Sequence, residues 1–299
     1  MRNFLRTVVL TCLMLTVSTT AWARCEDHVP QLKPQNASRD IVGHDMDTII
    51  DRGYMDFALY DDFAPWSFSE AGKVQGIDAD LARLIAEEFG VKARLKLVAA
   101  GENLDADLRN WVWKGPIVGG SVANVMMHVP YDSEFACRIE QVVFGGTFHV
   151  EQMGIAYRKS DYPDDKPVPA YFRYDSVAVE NDSIADFYLS GLAGGQLLGN
   201  IQRYVSTGQA MEMLAQGKVM AAMGSLSQLE YGLTDDLAVH TPPLPGFAVG
   251  KWTVGVATHF AYRPLGYAVD DAIYAALQDG RLEKIFEKYG VTLTPPELR

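Results

Sequence analysis

Gly76-Ile77-Asp78-Ala79-Asp80-Leu81-Ala82 is the stretch on which the fold turns. It opens a helix. Asp78 is placed to cap the free N–H groups of the first turn. Leu81, Leu84, Ile85 and Phe89 recur on one helical face, and Gly90 stands where a left-handed C-cap ends such a helix. Upstream, Tyr54-Met55-Asp56-Phe57-Ala58-Leu59-Tyr60 reads as a buried strand. Asp61-Asp62-Phe63-Ala64-Pro65-Trp66-Ser67-Phe68 follows as a loop dense in aromatic residues. Downstream, residues 93–98 alternate, with Arg94 and Lys96 on one side and Leu95 and Leu97 on the other. Residues 54–98 therefore predict strand, loop, helix, strand, the unit of an α/β fold.

The ordered set resembles family-3 periplasmic solute-binding proteins, the polar amino-acid receptors of bacterial ABC importers. Such proteins begin with a strand, an aromatic-Pro-aromatic loop and a Gly-aromatic/Ile-Asp-x-Asp-Leu-Ala phrase. Later phrases continue the likeness. Arg138 with Val142 and Phe144 matches Arg-x-x-x-Val-x-Phe, Arg158-Lys159-Ser160 follows a strand, and residues 280–290 match the closing phrase. The resemblance covers roughly residues 53–290 and implies a two-lobed periplasmic binding protein fold of type II. It places lobe one at 53–150 plus 250–299 and lobe two at 151–249. Crossing strands at 152–157 and 247–251 join them.

The resemblance also implies a ligand cleft between the lobes. Phe63, Trp66 and Phe68 line it from the first loop, with His128 and Arg138 on lobe one. Ser183 and Ser225 face them from lobe two. Arg138 is the family's carboxylate-gripping residue, and a planar guanidinium suits that task. Its alternative reading is a surface arginine paired with Asp132, Glu134 or Glu140. The departures are informative. His128-Val129-Pro130 stands where the family carries a hydroxyl residue at a strand end. Asp182 puts negative charge at a helix start that the family uses for anions, with a plain N-cap as the alternative. Ser225 stands where the family has an ammonium-binding aspartate. Holding a bare ammonium there without a buried carboxylate is unfavourable. The expected ligand is a small polar carboxylate without a free α-amino group.

Residues 1–23 read as a secretory signal: Arg2 and Arg6, an apolar core over 8–17, and Ala21-Trp22-Ala23 as a small-x-small cleavage site. The expected location is the periplasm, with no membrane insertion after the signal is removed. Residues 24–52 read as a polar surface extension with a short helix near 45–52. The net charge is −12 before the signal and its two arginines leave, which disfavours nucleic acid as a partner. Cys12 leaves with the signal, so Cys25 and Cys137 remain. In an oxidising compartment they suggest one disulfide, two lone thiols being the alternative.

No HExxH, GxSxG, Walker loop or zinc-type Cys/His spacing occurs, so no cofactor, metal or catalytic residue is assigned. The glycines of 191–200 lack phosphate-loop spacing. Met211, Met213, Met220 and Met223 fall on two predicted elements and read as core. Among six scattered histidines, only His128 falls at a cleft-facing strand end. Three functions are ranked in order. The first is ligand binding for an ABC transporter permease. The second is an accessory role beside a periplasmic quinoprotein alcohol dehydrogenase. The third is an enzyme on the same fold.

Overall fold

A computed structural model describes residues 42–247 and 250–297. The signal segment and Cys25 lie outside the described residues.

The first half contains α1 (Met46–Arg52), β1 (Tyr54–Tyr60), the ribbon β2 (Phe68–Glu70) and β3 (Lys73–Gln75), α2 (Ile77–Glu88) and β4 (Lys92–Val98). It continues through α3 (Leu104–Leu108), a π-helical turn (Arg109–Trp113), β5 (Val125–Tyr131) and α4 (Ser133–Arg138). β6 (Val142–Arg158) leads out of it. The second half holds β7 (Val177–Glu180), α5 (Ile184–Gly191), β8 (Ile201–Tyr204), α6 (Thr207–Ala215), β9 (Ala221–Ser225), α7 (Leu226–Tyr231) and β10 (Leu237–His240). β11 (Lys251–His259), α8 (Arg263–Gln278) and α9 (Arg281–Lys288) return to the first.

The strands follow the order β4-β1-β5-β11-β6-β9-β7-β8, with β10 also on β6. This corrects the expectation of a short first crossing strand. β6 is a single strand of 17 residues that serves both halves. Residues 142–152 pair with β11, and residues 153–158 pair with β9 and β10. The second crossing, expected as a strand at 247–251, shows no strand over residues 241–247, and β11 starts at Lys251. The halves nonetheless keep separate cores. Phe57, Leu81, Phe148 and Phe286 pack together in the first. Ile155, Phe172, Val179 and Met223 do so in the second. Trp252 touches both cores, at the join. Of the four methionines read as core, Met211 and Met223 are buried, and Met213 and Met220 are half-buried.

Helix starts follow local chemistry. Asp45 accepts from the Thr48 N–H and caps α1, and Ile49 carries that helix into the core. α2 starts differently from expectation. Asp78 makes no side-chain cap; it lies inside the first turn, behind Gly76. The Ile77 and Asp78 N–H groups donate instead to the Pro65 and Trp66 carbonyls, both at 2.9 Å. The aromatic loop is thus hydrogen-bonded onto the helix that follows it, which satisfies two otherwise orphaned donors.

Candidate functional site

The seam between the halves is built on the aromatic loop. Phe63 and Ser67 exchange backbone hydrogen bonds, and the Ser67 hydroxyl donates to the Tyr60 carbonyl at 2.6 Å. This folding turns Trp66 inward. Its side chain is 0% exposed, ringed by His128, His149, Phe148 and Phe286. Trp66 is therefore a core residue, which corrects its assignment to the cleft lining. Phe63 and Phe68 stay half-buried. Phe63 meets His128 edge-on at 4.9 Å, and Phe68 lies 6.2 Å from the Tyr231 ring of α7, across the seam.

His128 sits at a bulge. The pairing of β5 with β11 slips between Gly255 and Ala257, and His128 takes a left-handed φ of 56°. A bulge re-aims a side chain, and a bulky residue at positive φ marks local strain. Here the ring is turned in among Phe63 and Trp66, leaving His128 8% exposed. Its Nδ1 lies 3.2 Å from Oδ2 of the fully buried Asp78, a close polar contact outside hydrogen-bond geometry. Burial raises the Asp78 carboxyl above its usual value, and His128 offsets only part of that.

The joining strand β6 supplies two further buried groups, His149 and Glu151. The Thr294 N–H donates to His149 Nδ1 at 3.2 Å. That leaves Nε2 as the protonated nitrogen, facing the Ser227 hydroxyl of α7 at 3.4 Å. The pairing of serine, histidine and a nearby carboxyl is thus not a hydrolase triad, because the ring's lone pair is already engaged. Glu151 Oε1 accepts from the Gln152 N–H at 2.9 Å and the Ser227 N–H at 3.4 Å. Burial raises the Glu151 carboxyl, opposed by the Gln152 and Ser227 donors and by His128.

These shifts predict a pH dependence. Burial first, and His128 second, depress His149 to about 3 from an unfolded value of 6.5. Below pH 6.5 the unfolded chain binds a proton that the native state refuses, so acidification destabilises the fold. The slope approaches about 1.4 kcal/mol per pH unit. Asp78 and Glu151 act in the opposite sense. Their raised native values stabilise at low pH, and that contribution is lost as pH rises above the ordinary carboxylate range. Between about pH 7 and 5, wild-type Tm should therefore fall more steeply than that of His149→Gln. Parallel curves would show that His149 titrates normally.

The remaining predicted residues are dispersed. Ser225 donates to Gln228 Oε1 at 2.7 Å, and Gln228 reaches across the seam toward the Ala64 carbonyl at 3.5 Å. Ser183 is the N-cap of α5, accepting from the Asp186 N–H at 3.2 Å. Asp186, buried beside it, is held by Arg203 at 2.9 and 2.8 Å. Burial opposes its ionisation, but Arg203, Ser190 and the Asp182 N–H outweigh that and lower its carboxyl. The start of α5 thus carries a neutralised acid rather than an open anion cradle. Arg138 ends α4 and is exposed, its guanidinium 5.3 Å from the Phe135 ring. It does not join the buried cluster. Cys137, beside it, is half-buried.

Sequence reasoning missed His149, Glu151, Ser227 and Gln228 as seam residues. The one available signal was the polar break His149-Val150-Glu151-Gln152 inside an otherwise apolar strand. A concavity of about 740 Å³ lies elsewhere, between α8 and residues 294–297, lined by Gly146, Asp270, Tyr274 and Lys251 among others.

Solved structures share this architecture. An ancestral cationic amino-acid solute-binding protein superposes with a TM-score of 0.67 at 20% identity, covering 82% of this chain and 99% of that one. An amino-acid ABC transporter substrate-binding protein from Streptococcus pneumoniae, bound to L-arginine, gives 0.58 at 22% identity, with 84% and 99% covered. A solute receptor for L-cysteine of Neisseria gonorrhoeae gives 0.56 at 18% identity, with 82% and 93% covered. No protein-family model matches the chain, and no curated protein matches it. The chain has the two-lobed periplasmic binding protein fold of these neighbours. Among the described residues no helix is long and apolar enough to cross a membrane.

Proposed function

We propose that the protein is an exported solute-binding protein that holds a small polar, carboxylate-bearing ligand between its halves for an ABC importer. One observation carries the reading. Two separately cored halves meet through the aromatic loop on one side and the start of α7 on the other. Such a seam is a default place for a small ligand. The neighbours named above are a cationic amino-acid solute-binding protein, a receptor for L-cysteine and an ABC transporter substrate-binding protein bound to L-arginine. A binding role without catalysis also fits His149, whose lone pair is engaged by Thr294. Export through residues 1–23 and a Cys25–Cys137 disulfide belong to the same reading. Two free thiols in unreduced, denatured mature protein would remove the disulfide from it.

Arg138 would take the ligand's carboxylate as the halves close. Arg138→Ala is then expected to weaken binding by about 1.5–3 kcal/mol, the scale of a charged hydrogen bond. Calorimetric titration measures it, and an unchanged affinity would leave Arg138 a surface residue. The functional test is thermal unfolding across carboxylates, amino acids and sugars, because a ligand that binds the native state raises Tm. A rise with at least one class is expected.

A second reading has two observations in its favour. Arg138 is exposed and Ser225 is tied to Gln228, as suits a fold no longer committed to an amino acid. It would be an accessory protein of a periplasmic quinoprotein alcohol dehydrogenase. No response to any small molecule, with dehydrogenase rather than permease genes alongside, would favour it.

A further inference from the structure

Glu151 is 1% exposed, and its two oxygens are unequal. Oε1 is engaged by two backbone N–H groups. Oε2 is buried with no hydrogen-bond partner among the described residues. A buried carboxylate oxygen left unmatched is unfavourable, and a fold retains one mainly where something else uses it.

Its position says what that is. Glu151 lies on β6 at the join between the halves, two residues before Met153, which pairs with Ser225. The Ser227 N–H ties it to α7 of the second half, while His128 acts on it from the first. A second carboxyl, Asp78, is likewise buried behind His128 without a hydrogen bond to either oxygen. His149 brings no positive charge, because Thr294 occupies its lone pair and burial keeps the ring neutral. The seam floor thus carries two acids against one histidine able to offset them, His128. Once these acids are ionised, such an arrangement lacks donors, not acceptors. No group of three acidic, histidine or cysteine side chains among the described residues is arranged to hold a metal ion. An organic donor is the better match.

We propose that Glu151 receives the hydrogen-bond donor of the ligand, an ammonium or hydroxyl group borne by the carboxylate molecule that occupies the seam. The inference rests on the ligand-binding reading and refines its substrate class. The ligand is bifunctional, with an anionic end toward the exposed rim and a donor end at the joining strand. It also replaces the expectation that an amino group is excluded, since a carboxyl absent at Ser225 is present at Glu151.

The test compares matched probes in wild type and Glu151→Gln. One set is propionate, L-lactate and L-alanine; the other is glutarate, L-2-hydroxyglutarate and L-glutamate. Within each set only the α-substituent changes, from hydrogen to hydroxyl to ammonium. The expected result is a larger Tm rise in wild type with a donor-bearing member than with the plain acid. Glu151→Gln should bind that member about ten- to a hundredfold more weakly, the range of a charged hydrogen bond. A hydroxyl or an ammonium preference identifies which donor is read. Equal responses across a set, or an unchanged affinity in the variant, overturn the assignment and leave ligand binding intact. No response by wild type to any probe overturns both. A ligand-free control separates this role from a purely structural one. The Tm of Glu151→Gln relative to wild type should rise between about pH 5 and 8, as the buried carboxyl of wild type is driven to ionise. A flat or falling difference shows an already satisfied, structural carboxylate and overturns the proposal.

Discussion

Gly76→Ala is expected to destabilise the protein by about 2–6 kcal/mol, the sum of backbone strain of about 1–3 and overpacking of about 1–3. Gly76 has φ 121°, a region that L side chains rarely adopt. An added Cβ would stand 2.1 Å from the Trp66 carbonyl oxygen and 2.8 Å from the Ser67 nitrogen. Both are backbone atoms and have no rotamer by which to withdraw. That carbonyl also accepts the Asp78 N–H, so moving the loop breaks the start of α2. The Gly76 N–H donates to the Tyr289 hydroxyl at 2.9 Å, which extends the damage to the C-terminal segment. Urea unfolding measures the effect. A midpoint near that of wild type would mean that the loop and α2 are not docked as described.

Trp66→Ala is expected to lower stability by about 3–5 kcal/mol without any ligand present. The indole is fully buried and touches four rings drawn from β5, β6 and α9. Removing it leaves a cavity where the first half's core meets the buried polar cluster. A lining residue would behave differently, because its truncation weakens ligand affinity and leaves the free protein nearly as stable. Unfolding of the ligand-free variant distinguishes the two. Unchanged stability would return Trp66 to the cleft wall.

The sequence made some of this legible through local rules. The phrase at 76–82 marked the start of α2, and Gly90 does take a left-handed φ of 66°. β1 spans 54–60 as its apolar run implied, and α9 begins after Gly280. What stayed hidden depends on distance and direction. Trp66 is an aromatic in a loop, and such a residue signals a ligand face or a core anchor equally well. Only the hydrogen bonds of Pro65 and Trp66 to α2 decide between them. Asp78 and His128 are 50 residues apart, and a bulge that no local pattern announces brings them together. β6 runs through Gly145-Gly146 without turning, so a strand that reads as two pieces is one. Arg138 matched a phrase, yet its side-chain direction follows from α4 ending in an exposed turn.

The central claim is that a small molecule sits between the two halves. Amide hydrogen exchange of the wild-type protein tests it most directly, with and without whichever of the six matched acids gives the largest thermal shift. Slowed exchange is expected in residues 61–68 and in residues 225–231 together, because one ligand touches both walls of the seam. Protection confined to one half, or exchange unchanged by all six, would contradict it.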